Sequence, residues 1–153
     1  MIRRATQEDI PAILRLLEQV LAVHHQGRPD LFREKGTKYS AEELSQMLRQ
    51  ADAPIFVFED AGTVEGYVMC QIMQADGAAQ EPVTTFYVDD LCVDESARGK
   101  GIGRQLMEHA RSYAIENGCH NLTLHVWDGN PGAQAFYESM GMKTQYTCLE
   151  WVF

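Results

Sequence analysis

The sequence predicts an α/β domain folded around a mixed sheet, and three observations carry that reading. Strand-like and helix-like segments follow one another in the order β-α-α-β-β-β-α-β-α-β. One strand-like run feeds straight into a glycine-rich turn and then a helical pattern, in the stretch DDLCVDESARGKGIGRQL, residues 89–106. The chain has 153 residues, 45% hydrophobic and 23% charged, which suffices for one buried core and predicts a single domain over 1–153.

Each element has its own signal. MIRRAT reads as a short first strand. Ile10, Ile13, Leu14, Leu17, Val20 and Leu21 then recur at helical spacing, with Thr6 and Asp9 as start signals. HHQGRPDLFREKGTKY, rich in Gly, Pro and charge, reads as an irregular segment. Ser40 followed by Glu43 forms a capping box that opens a second helix, expected through about Gln50. PIFVFED and VEGYVMCQIMQ flank Ala61-Gly62-Thr63 as two strands of a hairpin. After the polar loop ADGAAQEP, VTTFYVDDLCV reads as another strand. Ile102, Leu106, Ala110, Tyr113 and Ala114 line one face of a helix that ends near Asn117-Gly118. NLTLHVW follows as a strand, NPGAQAFYESMG as a short helix, and KTQYTCLEWVF as a final strand or two.

Composition narrows the functional classes. The formal net charge of −9 argues against a nucleic-acid surface. Acidity is concentrated in the middle: residues 51–100 carry ten acidic and two basic side chains, against seven and eight in residues 1–50. Such a field suits a cationic substrate. No apolar run approaches the ~20 residues that span a bilayer, and the N-terminus lacks a signal peptide's apolar block, so no membrane partner and a cytoplasmic location are expected. Cys70, Cys92, Cys119 and Cys148 show no C-x-x-C spacing and read as reduced thiols, mostly buried. The adjacent His24 and His25 have no matching ligand pattern, and no metal is expected.

The glycine turn is the informative motif. Gly99, Gly101 and Gly103 let the backbone approach a ligand closely, and amides at the start of a helix favour phosphate oxygens. Arg98, Lys100 and Arg104 add positive charge. A Walker loop would need Ser or Thr after Lys100, where Gly101 stands. A G-x-G-x-x-G dinucleotide fingerprint starting at Gly99 would end on Arg104. Neither pattern fits.

Arg98-Gly99-Lys100-Gly101-Ile102-Gly103 resembles the pyrophosphate loop of the GCN5-related N-acetyltransferase (GNAT) superfamily. Asn130-Pro131-Gly132-Ala133-Gln134-Ala135-Phe136-Tyr137-Glu138-Ser139-Met140-Gly141-Met142 is similar to that family's second signature, with Met142 where Phe is commoner. The resemblance spans essentially the whole chain. It implies a mostly antiparallel central sheet flanked by helices, with a splayed strand pair forming an acyl-CoA cleft. It further implies acetyl-CoA as co-substrate and an amine as acceptor, joined by direct transfer in a ternary complex.

By position in those motifs, the amide of Leu91 would polarise the thioester carbonyl and that of Val93 would hold the pantetheine arm. The amides of Arg98, Gly99, Lys100, Gly101, Ile102, Gly103 and Arg104 would hold the pyrophosphate. Asn130 would cap the last helix and touch the pantetheine, with Ala133 and Phe136 also beside the donor. Tyr137 is the expected general acid for the departing thiolate.

Asp89 and Asp90 start a strand on opposite faces if side chains alternate. Asp89, sharing the face of Tyr87 and Leu91, is then the candidate base through a water. Asp90 would orient the substrate ammonium or brace the loop. The pair resembles a stretch of diamine acetyltransferases, which with the acidic middle favours a small, polyamine-like amine. A protein N-terminus or lysine is the alternative acceptor, and a non-catalytic acyl-CoA-binding module the alternative class. His24, His25, Arg28, Asp30 and Phe32 are candidates for the acceptor wall. A covalent Cys92 intermediate is not expected, since nothing marks a low-pKa thiol. The apolar end LEWVF is a candidate contact for a homodimer.

Overall fold

A computed structural model describes the whole chain, residues 1–153. Five strands form one sheet in chain order: β1 (Ile2–Arg4), β2 (Ile55–Asp60), β3 (Thr63–Gln74), β4 (Thr84–Val93) and β5 (Asn121–Leu124). The first three pairings are antiparallel and β4–β5 is parallel, so the expected mixed, mostly antiparallel sheet is present. A parallel pair needs a crossover, and α3 (Ile102–Glu116) supplies it. The remaining helices are α1 (Ile10–Gly27), α2 (Ala41–Met47) and α4 (Pro131–Ser139).

Both faces of the sheet are covered, which is why its strands read as nearly continuous apolar runs. Ile55, Val57, Tyr67 and Met69 pack against Ile13, Leu16 and Leu17 of α1 and Leu44 of α2. The alternate residues Phe56, Val68 and Cys70, with Phe86 and Val88, pack against Ile102, Leu106, Met107 and Ala110 of α3. Partly buried Phe136, Tyr137 and Met140 bring α4 onto this second face.

Local signals place the element ends. The Ser40 hydroxyl accepts from the Glu43 amide at 3.1 Å while the Glu43 carboxylate accepts from the Ser40 amide at 2.7 Å. Asp9 accepts from the Thr6 amide at 2.7 Å and is gripped by the Arg3 guanidinium, which holds its carboxyl below the usual range. The β2–β3 hairpin turns through Ala61 and Gly62, both at positive φ.

Three boundaries depart from expectation. α1 extends through Gly27 and takes in His24 and His25, because neither imidazole breaks a helix. The Arg28 amide closes the last turn on the His24 carbonyl at 2.9 Å, and Pro29 prevents further helix. β5 stops at Leu124 instead of Trp127, and α2 stops at Met47. The C-terminal residues 142–153 form no strand at all. Their alternating apolar side chains find no surface within the chain on which to bury.

Candidate active site

β4 and β5 pair only from Thr85–Asn121 to Val88–Leu124 and then part. The edge of β4 from Asp89 to Val93 therefore faces a gap. On its other side, β4 stays paired with β3, but the register slips: Cys70 lies opposite Val88 and Met69 opposite Asp90. Asp89 is the extra residue of a bulge, and a bulge resets alternation along the strand.

Two consequences follow. The Asp94 amide donates to Glu65 of β3 at 2.8 Å, so alternation back along β4 turns the amides of Leu91 and Val93 away from β3, into the gap. The expected opposition of the two aspartates is corrected. Asp89 and Asp90 share one face: Asp89 bonds Lys38 and Tyr39, while Asp90 bonds Tyr67 on that same side. Leu91 packs with the opposite core beside α3, so Asp89 shares a face with Tyr87 but not with Leu91.

The two carboxylates are held differently. Asp89 accepts from Lys38 Nζ at 3.0 Å and from the Tyr39 hydroxyl at 2.6 Å. Asp90 accepts from the Tyr67 hydroxyl at 2.8 Å and from the Leu91 amide at 3.1 Å. Burial raises the Asp90 pKa, against the opposing effect of the Tyr67 hydrogen bond. The Leu91 amide is thus aimed into the gap with Asp90 as its present acceptor.

Below the gap lies the glycine turn. Gly99 and Gly101 have φ of +81° and +77°, and a Cβ at either would meet nothing within 4 Å. Glycine here serves backbone conformation and leaves open space before the main chain. Gly103 sits inside the first turn of α3, with no left-handed backbone. A Cβ there would lie 3.6 Å from Phe136 Cζ and 3.7 Å from Val93 Cγ2.

None of the amides from Arg98 to Arg104 donates to an acceptor within the protein. A cavity of about 270 Å³ opens in front of them, walled by Val93, the turn and Phe136. Orphan amides converging on open space at a helix N-terminus fit the oxygens of a diphosphate. The cations are partly engaged: Arg98 Nε donates to the Val93 carbonyl at 3.2 Å and Arg104 to the Ser139 hydroxyl at 3.1 Å. Lys100 is exposed and 3.8 Å from Glu65. Asp94 caps the turn before the loop by accepting from the Ser96 amide at 3.0 Å, and Arg15 of α1 clamps it by an ion pair.

α4 stands opposite β4. Asn130 caps it, its side chain accepting from the Ala133 amide at 3.2 Å. Phe136 and Tyr137 meet edge-to-face with ring centroids 5.0 Å apart. The Tyr137 hydroxyl has no hydrogen-bond partner in the chain, yet no buried side-chain polar atom lacks one, so this hydroxyl reaches open space. Burial, then the nearby Asp90 charge, push its pKa up to about 12.

The acceptor-side candidates separate. His24 stacks on Phe32 with centroids 4.9 Å apart, and Phe32 meets Trp127 edge-on at 5.1 Å. Desolvation lowers the His24 pKa, opposed by Asp90 and reinforced by Lys38, which puts the ring in the field of Asp90. His25 instead holds the backbone: its Nδ1 lies 2.8 Å from the Phe32 carbonyl. Arg28 is committed to Asp30 at 2.7 Å and to Glu150, so neither Arg28 nor Asp30 points at the gap as a free group.

Lys38, Tyr39, Tyr67 and His125 were missed by sequence reasoning. His125 bridges Tyr87 and Tyr146, at 3.2 and 2.8 Å. The register that sets Tyr67 beside the aspartates and the fold that returns Lys38 to β4 have no local signature. Cys92 is buried, donates its thiol to the Leu16 carbonyl at 3.4 Å, and is pushed up to about 12 by desolvation, which leaves it a poor nucleophile. No group of three or more His, Cys, Asp or Glu side chains is placed to hold a metal ion.

Comparison with known proteins meets this geometry from outside. The model of the Acetyltransferase (GNAT) family matches residues 18–142. A point mutant of the BH1408 protein from Bacillus halodurans is 32% identical, and its crystal structure superposes with a TM-score of 0.95 over 100% of this chain and 99% of that one. An uncharacterized N-acetyltransferase of Methanocaldococcus jannaschii is 26% identical over 99% of this chain, which spans 64% of that relative's length. The thialysine N-epsilon-acetyltransferase of Bos taurus is 24% identical over 92% of this chain and 82% of its own.

Proposed function

Because the chain belongs to the GNAT acetyltransferase family, we propose that it transfers an acetyl group from acetyl-CoA to the primary amine of a small cationic acceptor. The observation that carries this reading is the run of unpartnered amides from Arg98 to Arg104, opening beside the parted edge of β4. Acetyl-CoA, when bound, supplies an activated thioester. The chain's own groups do the rest.

The amides of the turn hold the diphosphate, with Lys100 adding charge at the mouth. The Val93 amide takes the pantetheine arm, and Asn130, Ala133 and Phe136 form the facing wall. The Leu91 amide leaves Asp90 for the thioester carbonyl, where a donor already aimed stabilises the charge that develops on oxygen. An alkylamine of pKa ~10.4 is neutral in only about one molecule in 10³ at pH 7, a handicap of roughly 4 kcal/mol. Asp89, facing the mouth with Lys38, accepts the amine's proton through a water, and Asp90 orients the ammonium from deeper in the same face. Tyr137 stays protonated with a pKa near 12 and hands its proton to the departing thiolate.

The acceptor class rests on charge and walls. Two carboxylates on one face attract a cation, while His24, Phe32 and Trp127 offer aromatic surface. Similarity to a thialysine acetyltransferase supports a compact, lysine-like amine.

Thiol release from acetyl-CoA over a panel of diamines, amino acids with side-chain amines and lysine peptides tests this. Small diamines or lysine analogues are expected to turn over best, and Tyr137→Phe to lower kcat about 10²-fold with CoA affinity retained. Stabilisation by CoA without release for any amine would replace the enzyme by an acyl-CoA-binding module.

A further inference from the structure

The chain has four lysines, Lys35, Lys38, Lys100 and Lys143. Only Lys38 places its ammonium within hydrogen-bond distance of a protein acceptor, and that acceptor stands at the gap. Its Nζ lies 3.0 Å from Asp89 Oδ1 and 3.4 Å from the Asp89 carbonyl, against the backbone of β4. Asp89 is the carboxylate assigned above to the proton of the incoming amine. The acceptor face therefore already holds a primary amine, supplied by the chain itself.

The segment that carries this amine is anchored. Tyr39 donates its hydroxyl to the other oxygen of Asp89 at 2.6 Å, which ties the stretch between α1 and α2 to β4. Lys38 Nζ also stands 5.5 Å from the Tyr39 ring centroid. The lysine stem itself stays free, with its side chain 44% exposed against 18% for Asp89. The Leu91 amide is two residues further along β4, a distance of about 6.6 Å. An ammonium on a flexible four-carbon stem covers that span without backbone movement. Its charge already reaches the same face, opposing the rise in the Asp90 pKa and lowering that of His24. Arginine would grip the carboxylate and never lose its proton, whereas lysine leaves a nucleophile there.

We propose that Lys38 is a modification site: with acetyl-CoA bound and no free amine present, the chain acetylates its own Lys38 in cis. This rests on the acetyltransferase reading above and names a tethered substrate for that same site. The neutral Nζ attacks the thioester carbon, so an N–C bond forms and the C–S bond breaks. Two protons leave nitrogen. One passes through Asp89 to solvent, and the other balances the proton that Tyr137 gives to the departing sulfur. The product amide is uncharged, so Asp89 loses its ion-pair partner.

Incubation with acetyl-CoA carrying a deuterated acetyl group, without amine, followed by peptide mass spectrometry tests this. Label is expected on Lys38 at least about tenfold above Lys35, Lys100 and Lys143, since a held amine reacts at an effective concentration that no free one matches. The labelled fraction at a given time should not change when the protein is diluted, and Tyr137→Phe should slow labelling about 10²-fold. Lys38→Arg keeps a cation beside Asp89 but should abolish the thiol released without amine, which in the wild type stops after a single turnover. Label spread evenly over the four lysines, a rate that falls on dilution, label undiminished in Tyr137→Phe, or thiol release unchanged in Lys38→Arg overturns the proposal. The amine panel run in parallel separates the two readings. Turnover of a free amine with Lys38 unlabelled overturns this proposal alone, whereas no thiol release with any amine and no label overturns both.

Discussion

Burial disfavours the charged form of Asp90, which stands beside the Leu91 amide proposed to polarise the thioester. Its two partners, the Tyr67 hydroxyl and the Leu91 amide, offset part of that desolvation but leave the pKa raised. The linkage has a definite sign. In the window from about 3.9 up to the raised value, the folded state holds more protons than the unfolded one, so stability falls as pH rises. The penalty is complete above that window. Asp90→Asn removes it, so the variant's melting temperature relative to wild type should rise from about pH 4 toward neutrality. A difference that stays flat or reverses would show that the carboxylate is not strained by burial.

The Asp89-Asp90 pair stood out in the sequence, but its geometry was not legible there. Alternation would place the two on opposite faces. The bulge that puts them on one face comes from the β3 register, which pairs nine residues of β3 with ten of β4. No residue within β4 announces that mismatch. His24 and Phe32 were named as acceptor-wall candidates because the stretch expected between the first two helices carried them. Lys38 and Tyr39 lie in the same segment yet escaped notice, since their importance comes only from a return to Asp89 across 50 residues.

Among the elements, strand–turn–helix was the most readable unit, because positive-φ glycines and a helix start leave strong local marks. The distance of α3 from the sheet was less visible, and Gly66 sets it. A Cβ on Gly66 would lie 3.0 Å from the Cys92 carbonyl, 3.2 Å from Leu106 Cδ1 and 3.3 Å from Ile102 Cγ2. Glycine inside a strand lets another element approach closely, and here that element carries the orphan amides. Gly66→Ala must therefore move α3 or β4, at about 1–3 kcal/mol. The denaturant midpoint should fall at constant slope, and CoA affinity should weaken because the amides shift with α3. An unchanged midpoint would mean that Ile102 and Leu106 yield freely. The helix boundaries show the other limit of sequence reading: His24 and His25 lie inside α1 because only Pro29, beyond them, stops a helix.

At the scale of the whole molecule, two helices on each face cover a sheet whose open edges are the outer edges of β1 and β5 and the parted end of β4. The parted end of β4 is the opening proposed for the acyl donor. The final strand expected over KTQYTCLEWVF is not formed. A strand is a property of a pair, and residues 142–153 pair with none of the five strands. Of the acidic middle, Asp89 and Asp90 stand at the gap, with Glu65 and Asp94 around the turn.

The central claim is that main-chain amides from Arg98 to Arg104 hold a diphosphate and thereby deliver a thioester to the gap above them. Amide chemical shifts recorded while coenzyme A is titrated into the labelled protein test it most directly. The account predicts saturable shifts at residues 98–104, with Leu91 and Val93 moving as well, and loss of the turn's shifts when pantetheine without phosphate is used instead. Unmoved amides in that turn at saturating coenzyme A would contradict it.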